Sequence, residues 1–339
     1  MDRDASNPST RRARPQTTVT ISFLLLLTII FSGSTESLAK DPPYASKPIN
    51  IIVPWAPGSA VDLVPRMMST QLSKRLGVPV NIVNKPAASG VSGTLDAVTA
   101  APDGYTLLAD CPGTSSVAQA WMKNLPYKME ERTFIGLAVV FPSSLVVRAN
   151  APYNNLAEME KYIRTEPANF RWAVVGTTQS DFGLYLLRAA LRKKGVDLSK
   201  TKSVSFQAGG PALIAVAGGH VDIKCSSQGQ AQPYVTAGKV KYIAVLRKER
   251  TNVFPGIATT VEQGFPTVLS DFWVGYSAAP GLPAPIVQTW EKLIKEIVED
   301  PAMAAEWEKV GGIPSFLPKE PFRKFVMDET NEVIAVTGQ

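Results

Sequence analysis

Ile49-Asn50-Ile51-Ile52-Val53-Pro54-Trp55-Ala56-Pro57-Gly58-Ser59-Ala60-Val61-Asp62 is the stretch that decides the fold. A β-branched run over 49–53 reads as a strand and stops at Pro54. A short loop with two prolines and a glycine follows. Ser59 and Asp62 then stand at capping-box spacing, Ser59 as N-cap and Asp62 at N3, which predicts a helix start at residue 60. A helical pattern continues to residue 76. A strand feeding a helix through a tight, glycine-bearing loop is the first half of a βαβ unit.

Working outward, the same rhythm repeats. Apolar runs at 79–83 and 105–108 predict strands on either side of a helix near 92–100. A second set opens at Leu145-Val146-Val147 and continues through helices at 156–165 and 181–194. Its further strands are expected at 172–175, 203–206, 221–224 and 241–246. Helices over 285–298 and 318–336 close the chain. This β-α alternation predicts an α/β fold with a largely parallel sheet. At 339 residues, the chain has length for roughly two domains. The reading assigns 44–145 plus 266–339 to one lobe and 146–265 to the other. Ligand sites favour such interfaces, beyond the carboxyl ends of the strands.

The first 39 residues read as an export address. Arg11, Arg12 and Arg14 precede an apolar run, Ile21 to Phe31, and Ser37-Leu38-Ala39 offers small residues for cleavage. Eleven helical residues span only about 16 Å, half of a bilayer core, so a leader cleaved near Ala39 is expected rather than an anchor. After its removal 31 basic and 26 acidic residues remain, net +5, from the whole chain's 35 and 29. A mild positive field attracts anions. The basic residues are dispersed, and Arg192-Lys193-Lys194 reads as a solvated helix end, so no nucleic acid is expected as a partner. The single histidine, His220, lies in a Gly-Gly-His turn. Neither a metal spacing nor a nucleophile elbow is present. No cofactor and no enzymatic activity are expected. Cys111 and Cys225 can pair in an exported protein or stand as small buried apolar groups; their assignment to different lobes favours two free thiols.

Chemistry is expected in the loops that follow strands. These are 54–62; Cys111-Pro112-Gly113-Thr114-Ser115-Ser116; Gly176-Thr177-Thr178-Gln179-Ser180-Asp181; Phe206-Gln207-Ala208-Gly209-Gly210-Pro211; and the turn 218–222 leading to Cys225-Ser226-Ser227. Thr178 and Asp181 repeat the capping-box spacing, and Pro211 suits the first position of a helix. The loops are rich in Gly, Ser and Thr and nearly free of Lys and Arg. Such loops bind anions through backbone N–H groups at helix starts.

From about Tyr44 onward the chain resembles the periplasmic receptors of tripartite tricarboxylate transporters, the Bug receptors. The marks are Pro54-Trp55-Ala56-Pro57-Gly58 with Asp62, Val83-Asn84-Lys85-Pro86, Ala101-Pro102-Asp103-Gly104-Tyr105-Thr106-Leu107-Leu108, Leu125-Pro126-Tyr127, Gly218-Gly219 with Val221-Asp222, and Ala279-Pro280-Gly281-Leu282-Pro283. The resemblance implies a two-lobed type II periplasmic-binding-protein fold with a ligand cleft between lobes. It implies a monomer that holds a small carboxylate by backbone N–H groups, hydroxyls and water, and that serves membrane transporter subunits; a sensor kinase as the downstream partner would use the same fold. The residues expected at the ligand are Ala56, Pro57, Gly58, Ser59 and Asp62; Thr114 and Ser115; Gly176, Thr177, Thr178 and Gln179; Gln207 and Ala208; and Asp222. Against the family pattern, Ser59 replaces a second glycine, and Thr178, Phe206-Gln207-Ala208 and Lys224-Cys225-Ser226-Ser227 rewrite the second lobe's wall. With no arginine in these loops and Lys224 the nearest lysine, the carboxylate is expected to rest on helix N-termini.

Overall fold

Ten strands share one long connector. The structure is a computed structural model that describes residues 44–337 apart from 123, 176–178 and 207; the leader expected over 1–39 lies outside the described residues. Strands β1 (Ile49–Val53), β2 (Val80–Asn84) and β3 (Thr106–Asp110) run parallel, with β1 in the middle. Helices α1 (Ala60–Leu76) and α2 (Val91–Val98) make the crossovers between them. Strands β5 (Arg171–Val174), β6 (Lys202–Ser205) and β7 (Ile223–Ser227) form a second parallel group, with β5 in the middle. Their crossovers include α5 (Gln179–Lys193) and α6 (Gly209–Ala217); α4 (Leu156–Thr165) precedes the group and α7 (Gln228–Thr236) follows it. α3 is the short Ser116–Trp121.

The two groups are joined by antiparallel strands. β4 (Thr133–Arg148) is 16 residues long. Its first part pairs with β9 (Asp271–Ala278) from Thr133↔Ala278 to Pro142↔Asp271, and with β10 (Ile313–Pro318). From Ser143 onward it pairs instead with β7 and β8 (Val240–Val245). β9 also pairs with β3, so the strand order is β2-β1-β3-β9-β4-β7-β5-β6. The expected largely parallel sheet is therefore corrected to a mixed one: the parallel pairs sit at the flanks and every pairing of β4 and β9 is antiparallel. The partner exchange falls between Pro142 and Ser143, and the return passes Leu246, whose N–H donates to Ser143 and whose carbonyl accepts from Ser270.

Burial explains the pattern. Of the 16 residues of β4, all but Arg148 are buried, as strands covered on both faces require. The second group closes over Phe170, Trp172, Phe182 and Leu187, and the first over Phe134, Trp273 and Phe322. The closing helices α8 (Ala284–Val298), α9 (Pro301–Lys309) and α10 (Lys319–Thr337) include the two read from the sequence; α9 is an addition, capped by Asp300, whose carboxylate accepts from the Ala302 N–H. Among the described residues no helix is long and apolar enough to cross a membrane.

Candidate ligand site

The loop after β1 is built to expose two amides. Gly58 adopts φ +82°, a conformation L side chains rarely take. Its N–H donates to Asp62 Oδ2 at 2.8 Å. Arg66 Nε, one turn further along α1, donates to the same oxygen at 2.8 Å. Asn84, at the end of β2, donates from Nδ2 to Asp62 Oδ1 and to the Trp55 carbonyl. Burial alone would raise the Asp62 pKa, but the Arg66, Gly58 and Asn84 hydrogen bonds outweigh it and hold the carboxyl below its usual range. Asp62 is thus a brace, and Arg66 and Asn84, passed over in the sequence, are its partners.

This arrangement corrects the expected capping box. Ser59 is the N-cap, extended at φ −70° and ψ 158°, but its side chain makes no cap bond. Its hydroxyl is buried without a partner. Among the described residues the N–H groups of Ala60 and Val61 also have no acceptor, whereas those of Asp62 and Leu63 donate back to the Ser59 carbonyl. All three residues, Ser59, Ala60 and Val61, face one cavity. A cap hydroxyl normally contributes about 1 kcal/mol to stability. Because this one caps nothing, Ser59→Ala should leave the urea midpoint unchanged; a midpoint shift matching about 1 kcal/mol of lost stability would restore the cap.

The cavity, of about 170 Å³, lies at the carboxyl ends of both parallel groups, where β4 exchanges partners and β9 begins. One wall is Trp55, Ser59, Ala60, Val61, Cys111 and Gly113. The other is Val175, Gly209, Lys224, Ser227 and Gln230, with Ser143 and Phe272 supplied by the crossing strands. The Trp55 ring lies over Gly113, where an added Cβ would stand 2.8 Å from Cζ2, so only glycine admits the indole. The indole N–H, like the Ser59 hydroxyl, is buried without a hydrogen-bond partner. Buried polar groups are normally satisfied, so two orphans on one wall leave two donors there without an acceptor. A larger hollow of about 570 Å³, lined by Leu137 and Val140 of β4, β10, α10 and the 246–249 segment, carries charges of both signs and no loop that follows a parallel strand.

Lys224 occupies the facing wall. On β7, Ile223 and Cys225 point into the core around Trp172. Period-two alternation turns Lys224 and Ser226 to the opposite face. Lys224 is 1% exposed and donates from Nζ to the Cys225 carbonyl at 2.7 Å. Burial holds its pKa below the ordinary lysine value, partly offset by Cys225 and then by Asp181. Beside the helix starts on which the expected site rests, β7 therefore brings a lysine to the cavity wall.

Several expected contacts sit elsewhere. Thr114 and Ser115 are fully buried and face away from the cavity. Both donate to Asp110 Oδ1, at 2.7 and 2.6 Å. They hold the turn that presents Cys111 and Gly113. Asp222 stands at the amino end of β7, where it accepts from the Arg171 N–H at 2.8 Å and from Arg171 Nε at 3.1 Å. Five residues of strand, about 16 Å, separate it from Ser227 at the cavity end. Ala56, Pro57 and Gly58 are exposed and do not line the cavity, and the Gly58 amide is already used. Ala208 is the N-cap of α6, next to the lining residue Gly209; Pro211 is the third residue of that helix rather than its first. Gly176, Thr177, Thr178 and Gln207 lie outside the described residues, and Gln179 opens α5.

Neither cysteine is poised for covalent chemistry. Both cysteines are buried and unpaired. Burial and the neighbouring Asp110 push the Cys111 thiol up to about 11, and burial pushes Cys225 up to about 12, so neither is a thiolate near neutrality. Among the described residues no cluster of three His, Cys, Asp or Glu side chains could hold a metal ion.

Two α/β groups joined by antiparallel strands, with a cavity at their junction that carries free donors on an otherwise largely apolar lining, define a two-lobed solute-binding receptor of the periplasmic-binding-protein class. The chain belongs to the tripartite tricarboxylate transporter family of receptors: the profile described as "Tripartite tricarboxylate transporter family receptor" matches residues 64–337. It is 29% identical over 296 residues to a UPF0065 protein of Bordetella pertussis, covering 87% of this chain and 90% of that one. Among solved structures it is similar to MatC of Rhodopseudomonas palustris, determined with bound malate, at 28% identity and a TM-score of 0.73, covering 86% of this chain and 99% of that one. It is also similar to the periplasmic binding protein BugD, again at 28% and 0.73, covering 87% and 98%. The family is one of receptors, not enzymes.

Proposed function

We propose that the protein captures a small carboxylate in the periplasm and presents it to the membrane subunits of a tripartite tricarboxylate-type transporter, after loss of a leader ending near Ala39. The observation that carries this reading is the set of unused donors on one wall: the Ala60 and Val61 amides, the Ser59 hydroxyl and the Trp55 indole N–H. A helix N-terminus with free N–H groups is an anion seat. The malate bound in the MatC relative supports the ligand class. A cavity of about 150 Å³ takes benzene, so one of about 170 Å³ suits a ligand of roughly six to ten non-hydrogen atoms.

The lobes are proposed to divide where β4 changes partners, near 142–143, and where β9 begins, near 270–271, and to close on the ligand about those strands. Calorimetric titration with C3 to C6 mono- and dicarboxylates, with small-angle scattering on the same samples, tests both. Micromolar or tighter binding of at least one acid, with a smaller radius of gyration when bound, is the expected result. No heat or thermal shift with any acid would sink the ligand class, and an unchanged radius in a saturated sample would sink the closure.

A further inference from the structure

We infer that Lys224 is the specificity-determining cation of the cavity, selecting a ligand that carries a second carboxylate opposite the α1 N-terminus. The inference rests on the carboxylate reading above. Lys224 is the charged side chain among the cavity's described lining residues, and it comes from the second parallel group, whereas Ser59, Ala60 and Val61 come from the first. An ammonium has three donors. One is used on the Cys225 carbonyl, and among the described residues no carboxylate lies within ion-pair distance of Nζ. Asp181 is near enough to act on it through space, but one of its oxygens accepts from the Val175 N–H. A buried, under-satisfied cation is costly in the empty protein, and an arriving carboxylate removes that cost. The lining residues Trp55, Val175 and Phe272 give the cavity apolar surface for a short carbon chain. Two anion-seeking features on different walls therefore match a ligand with a charge at each end, and the second feature is a side chain rather than another helix end.

The test compares succinate, glutarate and adipate with the monoamide of each, by calorimetry on the purified protein and on Lys224→Met, which keeps the aliphatic stem. The wild-type protein should bind its preferred diacid at least about 10-fold more tightly than the matching monoamide. In Lys224→Met the diacid should lose roughly 10- to 100-fold, as for one charge-assisted hydrogen bond, while the monoamide changes little and the preference disappears. A variant that keeps the wild-type preference overturns the inference, because a lysine that only stitches β7 would not set it. Wild-type protein that does not distinguish diacid from monoamide overturns it too, and this comparison decides the matter if Lys224→Met does not fold. Absence of binding to all six compounds would overturn the inference, and failure of the whole C3 to C6 set of acids as well would overturn the carboxylate reading with it, a result distinct from either of the others.

Discussion

Arg132→Met should destabilise the protein by roughly 3–5 kcal/mol, the largest loss expected from any single change near the cavity. The Arg132 and Asp110 side chains are both 0% exposed, with Nη2 to Oδ2 at 3.0 Å. Asp110 also accepts from Thr114, Ser115 and Ser277. Arg132 further bonds the Ser115 hydroxyl and the Thr114 carbonyl, and lies over the Phe134 ring. Desolvation offsets much of the attraction in such a pair, so its net value against an apolar replacement is small. Removing one partner is different, because an uncompensated buried carboxylate stays behind. Urea unfolding should show the loss as a lower midpoint at unchanged slope. The double variant Asp110→Asn/Arg132→Met should recover part of it, since the two side chains pair with each other and both bond Thr114 and Ser115. A single-variant loss under about 1 kcal/mol would mean that the network relaxes freely and does not set the 111–115 turn.

That network marks the boundary of what the sequence discloses. The strand–loop–helix at 49–76 was legible because local signals agree: β-branched residues, Pro54, and a cap residue before residue 60. The observed strand Ile49–Val53 and helix Ala60–Leu76 follow those signals. β9 and the first ten residues of β4 gave no such signal. Strands buried on both faces lose the alternation that announces a strand, and the first ten residues of β4 pair with β9 more than 120 residues away. Without them Phe272 and Ser143 could not be seen as lining residues. Thr114 and Ser115 were placed in the right loop but on the wrong side of it. A hydroxyl's direction depends on the buried Asp110 and Arg132 beneath it, and Arg132 lies 17 residues from Ser115 in sequence. Asp222 was misplaced for a simpler reason: a turn beside a strand does not announce which end of the sheet it occupies. Lys224 was visible as a departure from the family pattern, and alternation along β7 was the signal that could have turned it into the cavity.

Ala60→Pro should weaken carboxylate binding by roughly 10- to 100-fold and leave the fold intact. Proline usually breaks a helix, but at the first position its missing N–H had no intrahelical acceptor and its fixed φ suits the turn. Ser59, the residue before it, is already at φ −70° and ψ 158°, the extended region that a following proline demands. The substitution therefore deletes one donor without disturbing the backbone that presents the others. Micromolar binding corresponds to about 8 kcal/mol. One charge-assisted hydrogen bond contributes about 1.5–3 kcal/mol, and a partly buried helix end up to about 2. Losing one of the two free amides removes a large share of that total but not all of it, since the Val61 N–H remains. Ser59→Ala, which removes only a hydroxyl, should cost no more than about 10-fold. Isothermal titration of the three proteins against the same acid orders them directly, with circular dichroism to verify the fold. If Ala60→Pro bound like wild type while Lys224→Met lost all affinity, the lysine would carry the ligand's charge alone and the α1 N-terminus would be no more than a helix start.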